Sequence, residues 1–317
     1  MFAIQTSGLT RSFGNRLAVD RLDLEIPQGS IFGFLGPNGA GKTTTIRLLA
    51  GLIAPTSGEV AVLGRSVTGQ ADFVRRSVGL LTETPGLYDR LTPTENLRYF
   101  GQLHGLPGRC AALRVEALLR DFGLWEHRGR RCATLSKGLR QKVAIARALL
   151  HDPEVLFFDE PTSGLDPEAA RTVRELVKSL RARQKTVFLT THNLGEAEEL
   201  CDQLGVFNRR LLAVGALDEL RRKQPGCTVR ITLAQAAATW ADVPVLAGFR
   251  LTQGVSDGET LVVNVTDPVR DNPVLLRQMV QAGAPVVSVE VLQPSLEELY
   301  LRLVRPTDVS PGPVIAA

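Results

Sequence analysis

The stretch that decides the fold lies near the amino terminus and reads Gly36-Pro37-Asn38-Gly39-Ala40-Gly41-Lys42-Thr43. It fits the pattern G-x-x-x-x-G-K-[ST] and lies between an apolar, strand-like segment at residues 31–35 and a helical pattern. Glycines let backbone N–H groups turn toward phosphate oxygens, and the start of the helix adds a partial positive charge. An ordinary glycine turn rarely places Lys-Thr at this offset, so the stretch predicts a phosphate-binding loop.

The side chains that close this loop have separate expected roles. Lys42 is expected to reach the β- and γ-phosphates of a nucleotide, the Thr43 hydroxyl to ligate Mg²⁺, and Thr44 to hold the α-phosphate. The remaining loop residues are expected to surround the phosphate oxygens: Gly36, Pro37, Asn38, Gly39, Ala40 and Gly41.

A second apolar segment, at residues 155–158, ends in two adjacent acids, Asp159 and Glu160. Because side chains alternate along a strand, the two acids can have different functions. Asp159 is expected to hold Mg²⁺, usually through water, and Glu160 to be the base that polarises an attacking water. The alternative interpretation is a solvated strand end.

The composition is that of a globular protein. The 317 residues are 44% hydrophobic and 22% charged, with a net charge of +4, which excludes a largely disordered, collagen-like or coiled-coil chain. The apolar runs are far shorter than the roughly 20 residues of a membrane-crossing helix. The first residues lack a basic region followed by an apolar run, so we expect a mature protein that begins near Met1 and stays in the cytosol.

The chain divides into two parts by its pattern of elements. Residues 1–220 alternate apolar strands with amphipathic helices, which predicts an α/β domain with a mainly parallel sheet. Residues of about 85–150 are nearly all helical and predict a lobe inserted into that domain. A charged, Pro- and Gly-containing stretch at 221–226 marks a boundary, after which 221–305 predict a small α+β domain and 306–317 a tail.

The sequence Leu135-Ser136-Lys137-Gly138-Leu139 precedes a helical pattern, and here the chain resembles the ATP-binding subunits of ABC transporters. Their signature reads LSGGQ, and this chain has Lys for the first glycine and Leu for the glutamine. The resemblance implies that Ser136 and Gly138 contact the γ-phosphate of ATP bound by the opposite subunit. A serine hydroxyl and free N–H groups at a helix start form an anion site. Taken alone, the stretch is also compatible with a simple capped helix.

The resemblance covers residues 4–220 and implies the fold of a P-loop NTPase of the ABC type. Beside the mainly parallel core it implies an antiparallel β-subdomain and the inserted helical lobe. It also implies roles for three residues. Asp166 falls in the loop that crosses the dimer interface, His192 holds Glu160 and the γ-phosphate, and Phe13 stacks on adenine. For Phe13 the alternative is a core phenylalanine.

Glu83 departs from the family pattern, because the family has a glutamine at this position. Glutamate keeps an oxygen for Mg²⁺ but loses the amide donor and adds a negative charge near the γ-phosphate. We expect Glu83 to approach both the nucleotide and the metal.

The resemblance also implies partners and a location. Since the phosphate loop and the signature lie on different lobes, a complete site needs a homodimer or a paired ATPase subunit that encloses two ATP molecules. We expect the ATPase to power a polytopic membrane permease, and therefore to lie at the cytoplasmic face of the cell membrane. Residues 86–92 and 95–97 match the family region that receives permease helices. Residues 289–300 resemble the end of ATPase subunits from prokaryotic exporters of drugs, lipids or polysaccharides, which favours an exporter over an importer.

Two alternatives to a transport ATPase are open at this point. One is a soluble ABC ATPase that acts on ribosomes or nucleic acid, although such proteins carry two cassettes or a long coiled coil. The other is a P-loop GTPase, which the lack of an Asn-Lys-x-Asp motif disfavours. We expect no nucleic acid partner.

Overall fold

The computed structural model describes residues 1–222, 227–234, 250–251, 260–265, 268–292 and 294–304. The chain forms two compact units, Met1–Ala216 and Leu217–Ala317. The tail predicted at 306–317 and most of the predicted boundary at 221–226 lie outside the described residues. Within the described ranges, no helix has both the length and the apolar composition that a membrane crossing requires.

The first unit, described in full, alternates strands and helices along the chain. Its strands are β1 (Phe2–Phe13), β2 (Arg16–Pro27), β3 (Ile31–Leu35), β4 (Ser57–Val62), β5 (Arg65–Ser66), β6 (Val78–Leu81), β7 (Val155–Asp159), β8 (Thr186–Thr191), β9 (Gln203–Asn208) and β10 (Arg210–Gly215). Its helices are α1 (Lys42–Leu49), α2 (Ala71–Ser77), α3 (Pro93–Leu103), α4 (Gly108–Asp121), α5 (Lys137–Ala148), α6 (Pro167–Ala182) and α7 (Leu194–Leu200), with short 3-10 turns at Trp125–His127 and Cys132–Thr134.

A six-stranded sheet forms the centre of this unit, in the order β10-β9-β3-β8-β7-β6. All neighbours pair in parallel except β9 and β10, which are antiparallel. Strands β3, β7 and β8 are buried along their whole length, as expected for a parallel sheet with both faces covered. The carboxyl ends of β3, β6, β7 and β8 therefore meet at one edge, where ligands bind in open α/β sheets.

Aromatic side chains fill one face of the central sheet. Phe32, Phe34, Phe188 and Phe207 are completely buried, and the Phe34 and Phe207 ring centroids lie 4.5 Å apart. Complete burial of one such side chain contributes about 1.5–3 kcal/mol. This cluster fixes strand β3 and hence the start of the loop that follows it.

A second sheet, antiparallel and ordered β2-β1-β4-β5, packs through this cluster against the central sheet. Its two long strands, β1 and β2, meet in a tight turn that pairs Phe13 with Arg16. The antiparallel subdomain that the family resemblance implies is thus present.

Helices α3, α4 and α5 form the helical lobe, and helix-capping residues set where they begin. Thr92 and Glu95 form a reciprocal capping box at the start of α3, and Ser136 caps α5 by accepting from the Leu139 N–H at 3.3 Å. Buried Asn96 ties α3 to the preceding loop, because its amide donates to the Tyr88 carbonyl and its oxygen accepts from the Tyr88 N–H.

The second unit, where it is described, contains an antiparallel sheet in the order β12-β13-β11-β14. The elements are α8 (Leu217–Arg222), β11 (Cys227–Leu233), β12 (Arg250–Leu251), β13 (Thr260–Val265), α9 (Pro268–Gln281), β14 (Val286–Leu292) and α10 (Leu296–Val304). Leu275 and Met279 of α9 pack on the sheet core around Val229 and Ile231. The sequence predicts a helix from about Pro273, but α9 begins at Pro268 and includes Pro273, because proline costs a helix one N–H bond without always ending it.

Candidate active site

The loop after β3 has a backbone that glycine alone can form. A Cβ on Gly36 would lie 2.3 Å from the Phe207 carbonyl oxygen, and one on Gly41 would lie 2.2 Å from the Ala18 carbonyl oxygen. Gly41 also has φ 107°, in the region that side chains disfavour. Gly41 caps helix α1 without a side chain, so the first N–H groups of the helix stay available for an anion.

Lys42 begins α1 and is 6% exposed. Its Nζ donates to the Gly36 carbonyl oxygen at 2.8 Å and to the Pro37 carbonyl oxygen at 3.4 Å, and it lies 3.2 Å from Oε1 of Glu160. A buried ammonium requires such partners because its desolvation is costly. The phosphate loop and the end of β7 therefore share this cation.

Glu160 follows β7 in a left-handed conformation with φ 52°. This conformation costs a non-glycine residue about 1–2 kcal/mol, so the surroundings must hold it. Its N–H donates to the Thr190 carbonyl oxygen at 3.1 Å and to Thr190 Oγ1 at 3.2 Å. Its carboxylate lies between Lys42 and Nδ1 of His192, which is 2.7 Å from Oε2. The turn thus aims the carboxylate at the cavity.

The end of strand β8 bonds to two buried acids, Asp159 of β7 and Glu196 of α7. Buried Asp159 accepts a hydrogen bond from Thr190 Oγ1 at 2.6 Å, and the next residue, Thr191, donates to Oε2 of Glu196 at 2.7 Å. Burial raises the pKa of Glu196 above its ordinary value, against the lowering effect of hydrogen bonds from Thr191 and Thr162. A carboxyl group that resists ionisation can stay buried in the first turn of α7.

These elements enclose a cavity of about 520 Å³, a size typical of small-ligand sites. The lining residues come from the first hairpin, the phosphate loop and the carboxyl ends of β6, β7 and β8: Phe13, Arg16, Ala18, Pro37, Asn38, Gly39, Gly41, Lys42, Thr43, Thr44, Glu83, Asp159, Glu160, Ser163 and His192. The structure therefore brings together most of the residues that the sequence predicts for the site.

Two predicted loop residues, Gly36 and Ala40, lie behind the cavity surface and are buried. Three further predicted site residues, Ser136, Gly138 and Asp166, are not among the described residues that line the cavity. Ser136 and Asp166 are exposed at the starts of α5 and α6, where Asp166 accepts from the Ala169 N–H at 2.8 Å. A Cβ on buried Gly138 would lie 2.7 Å from the Ala169 Cβ, so glycine allows α5 to approach α6.

Phe13 and Glu83 occupy the rim of the cavity. Phe13 is 48% exposed and carries the Arg11 guanidinium 4.6 Å from its ring centroid, so it is not a core side chain. An exposed aromatic face at a cavity is suited to stacking on a planar base. Exposed Glu83 lies just after β6.

Arg16 and Ala18 line the cavity although neither is a predicted site residue, and so does Ser163, the first residue of the stretch 163–166 that matches the family's loop across the dimer interface. Arg16 follows Phe13 across the first turn, so a guanidinium beside a phosphate loop was an available signal. Ala18 contributes its backbone near Gly41, which the sequence does not reveal.

The oxygen atoms around the cavity suit a magnesium ion. The Thr43 hydroxyl, the Asp159 carboxylate and the Glu83 carboxylate are hard oxygen donors of the kind that Mg²⁺ prefers. The described residues contain no group of three or more His, Cys, Asp or Glu side chains placed to hold a metal.

This phosphate loop, followed by an acid pair on β7 and a histidine after β8, defines the class of the P-loop nucleotide hydrolases. Comparison with known proteins specifies the family: residues 19–163 match the ABC transporter family. The daunorubicin resistance ATP-binding protein DrrA3 of Streptomyces coeruleorubidus is 37% identical over 302 residues, which cover 95% of each chain. The Nod factor export ATP-binding protein I of Ralstonia nicotianae is 36% identical over 304 residues, 95% of this chain and 93% of that protein.

Solved structures agree with these relatives. An ATP-binding subunit of an ABC transporter is 32% identical and superimposes with a TM-score of 0.64, covering 70% of this chain and 92% of that one. This chain belongs to the family of ABC transporter ATP-binding proteins.

Membership of this family confirms the resemblance, the fold class and the enzymatic class that the sequence predicts. The chain is an ATP-binding, ATP-hydrolysing subunit that powers a membrane transporter and works with a membrane permease. The GTPase and the ABC ATPase acting on ribosomes or nucleic acid are not favoured, because the relatives are ATP-binding proteins of resistance and export systems.

Proposed function

We propose that this chain drives export from the cytoplasmic face of the membrane, and that two ATPase subunits must close around two ATP molecules for it to do so. The observation that carries the second part is the division of the site residues. Lys42, Glu160 and His192 lie at one cavity, whereas Ser136 and Asp166 are exposed outside it. The Ser136 hydroxyl and the N–H groups at the start of α5 have the chemistry of an anion site, and we infer that they contact the nucleotide of a second subunit.

In the proposed mechanism, Glu160 accepts a proton from the water that attacks the γ-phosphorus. The His192 ring fixes the orientation of this carboxylate through the 2.7 Å contact between Nδ1 and Oε2. Lys42, whose Nζ contacts the Gly36 carbonyl and the Glu160 carboxylate in the structure, is the cation that offsets charge on the β- and γ-phosphates. Mg²⁺, held by Thr43, Asp159 and Glu83, would supply electrostatic stabilisation of the transferring phosphoryl group.

The remaining predicted residues bind rather than react. Phe13 stacks on the adenine ring, and the loop N–H groups with Thr44 hold the phosphates. Ser136 and Gly138 of one subunit contact the γ-phosphate held by the other, and Asp166 contributes to the contact between subunits. Loss of that phosphate then removes the charge that holds the subunits together.

Export is supported by the extent of the similarity. DrrA3 and the Nod factor export protein match 95% of this chain, so the likeness includes the second unit as well as the ATPase core. The helical lobe has a surface fit for a permease: Tyr88 and Tyr99 are exposed, with ring centroids 5.1 Å apart. Exposed aromatic pairs are typical of protein interfaces.

The test is affinity purification of the tagged full-length chain from detergent-treated cells, followed by an ATPase assay with and without EDTA. We expect a polytopic membrane protein to be recovered with the chain, and ATP hydrolysis to need the divalent metal. The Glu160→Gln variant is the control: it should recover the same membrane protein without turnover. Recovery with ribosomes or nucleic acid instead would contradict the proposal.

A further inference from the structure

Helix α5 carries a buried amide that reaches the turn of the proposed base. Gln141 is 4% exposed, and its Nε2 donates to the Pro161 carbonyl oxygen at 2.6 Å. Pro161 is also buried and directly follows Glu160. One side chain of the helical lobe therefore bonds to the backbone beside the catalytic carboxylate.

The turn at Glu160 needs support from both sides. Its left-handed backbone is uncommon for a glutamate, and a residue before proline prefers an extended backbone. On the strand side, Thr190 holds the Glu160 N–H, and within the turn the Ser163 N–H donates to the Glu160 carbonyl oxygen at 3.2 Å. On the helix side, the bond from Gln141 holds the next carbonyl.

A second contact joins α5 to the same loop. A Cβ on Gly164 would lie 2.2 Å from Nζ of Lys137, so the lysine side chain occupies the space beside a residue that has φ 64°. Lys137 stands where the family signature has glycine. The beginning of α5 therefore packs against the loop of 160–164 at two points, one near Glu160 and one near Ser163, which lines the cavity.

We propose that Gln141 is a positioning residue for Glu160: by holding the Pro161 carbonyl, it keeps the carboxylate between Lys42 and His192 and makes hydrolysis depend on the position of α5. This inference rests on the proposed function, in which Glu160 is the base and Ser136 contacts the second subunit's nucleotide. Ser136 caps the same helix that carries Gln141, so closure on Ser136 acts on the Glu160 turn through one rigid element.

The first test replaces Gln141 by methionine, which keeps the length of the side chain but removes the donor. Displacement of a reacting group by about 1 Å can cost about 100-fold in rate, and we expect kcat for ATP to fall by about 30-fold. The Kd for ATP, measured by equilibrium binding, should change by less than about threefold, since Gln141 does not line the cavity. A role in packing alone predicts wild-type kcat for this variant, because methionine fills the same space.

Two further variants complete the test. Gln141→Asn keeps an amide, but its side chain is one methylene shorter and should not reach the Pro161 carbonyl. It should also lower kcat at unchanged Kd, and it serves as the test if the methionine variant does not fold. Arg114→Met is the matched control: it removes side-chain bonds to the Leu149 and Leu150 carbonyls at the other end of α5, and kcat should stay within about twofold.

The outcomes separate this inference from the proposed function. If folded Gln141→Met or Gln141→Asn keeps wild-type kcat, or if Kd rises as much as kcat falls, the positioning role is wrong while the ATPase mechanism stands. If Glu160→Gln retains wild-type turnover, the mechanism itself is wrong, whatever the Gln141 variants do.

Discussion

The cavity and the start of helix α5, which in our proposal form the two halves of a shared ATP site, are built differently. At the cavity, Lys42 and Glu160 form an enclosed ion pair, and their side chains are 6% and 11% exposed. At the start of α5, Ser136 and Lys137 are exposed, and the Ser136 hydroxyl accepts a helix-capping bond from the Leu139 N–H. The first region is preorganised within one chain, whereas the second presents its groups outward.

This difference indicates which functions one chain can perform by itself. In our proposal, ATP binding uses the phosphate loop and Phe13, which belong to one chain and meet at one cavity. In our proposal, turnover also needs Ser136 and Gly138 of a second subunit. Variants on the two sides should therefore affect binding and turnover in different proportions.

The largest effect is expected at the cavity itself. Lys42→Ala removes the buried cation and leaves the Glu160 carboxylate without its neighbour, so turnover should fall by about 1000-fold and ATP binding should weaken as well. Steady-state ATPase assays and equilibrium binding measure both. Lys178→Ala, which removes only surface ion pairs with Glu175 and Glu199, should stay within about twofold. Equal effects of the two lysine variants would contradict the role of Lys42.

A large effect on turnover alone is expected at the start of α5. Ser136→Ala should lower turnover of the permease-bound enzyme by about 100-fold, the usual loss for one transition-state donor, and leave the Kd of the isolated chain for ATP unchanged. The control is Thr134→Ala, an exposed hydroxyl two residues earlier that bonds to the Arg131 carbonyl. Weaker ATP binding by the isolated Ser136→Ala chain would show that the signature belongs to its own cavity.

A smaller effect, on binding alone, is expected for Phe13. Phe13→Ala should weaken ATP binding by about 5- to 10-fold, which corresponds to the loss of one aromatic stack, and should leave kcat nearly unchanged. Phe13→Tyr keeps the ring face and should bind ATP as the wild type does. Unchanged affinity in the alanine variant would place the adenine elsewhere.

A limited effect on turnover is expected at Glu83, where the family resemblance implies a glutamine. Glu83→Gln restores the amide and removes one negative charge at the rim while an oxygen remains for Mg²⁺, so turnover should stay within about tenfold of the wild type. Steady-state kinetics at several magnesium concentrations measure this change. A 1000-fold loss would show that the charge of Glu83 is required.

Much of the cavity could be predicted from sequence because local chemistry dictates it. The phosphate loop needs glycines where a Cβ would strike the Ala18 or Phe207 carbonyl, and the acid pair needs a buried strand before it. These requirements act on residues that are neighbours in the sequence, so they produce a recognisable sequence pattern. The strand–loop–helix order around Lys42 follows from that pattern.

The features of the site that could not be predicted from the sequence depend on contacts between distant parts of the chain. Arg16 reaches the cavity because β1 and β2 turn back beside the phosphate loop, and Gln141 reaches Pro161 across 20 positions. The left-handed backbone of Glu160 likewise has no sequence signal, since glutamate seldom adopts it. These features follow from packing of elements rather than from local preference.

The most direct test of the shared-site account is the mass of Glu160→Gln in solution, measured by light scattering with saturating ATP and Mg²⁺. Removal of the base stops turnover and reduces repulsion of the γ-phosphate, so the 34.4 kDa chain should form a dimer that disperses when ATP is withdrawn. Adding Ser136→Glu, which brings a carboxylate to the phosphate, should abolish the dimer without loss of ATP binding. A Glu160→Gln chain that stays monomeric with ATP bound, or a dimer that Ser136→Glu leaves intact, would contradict the account.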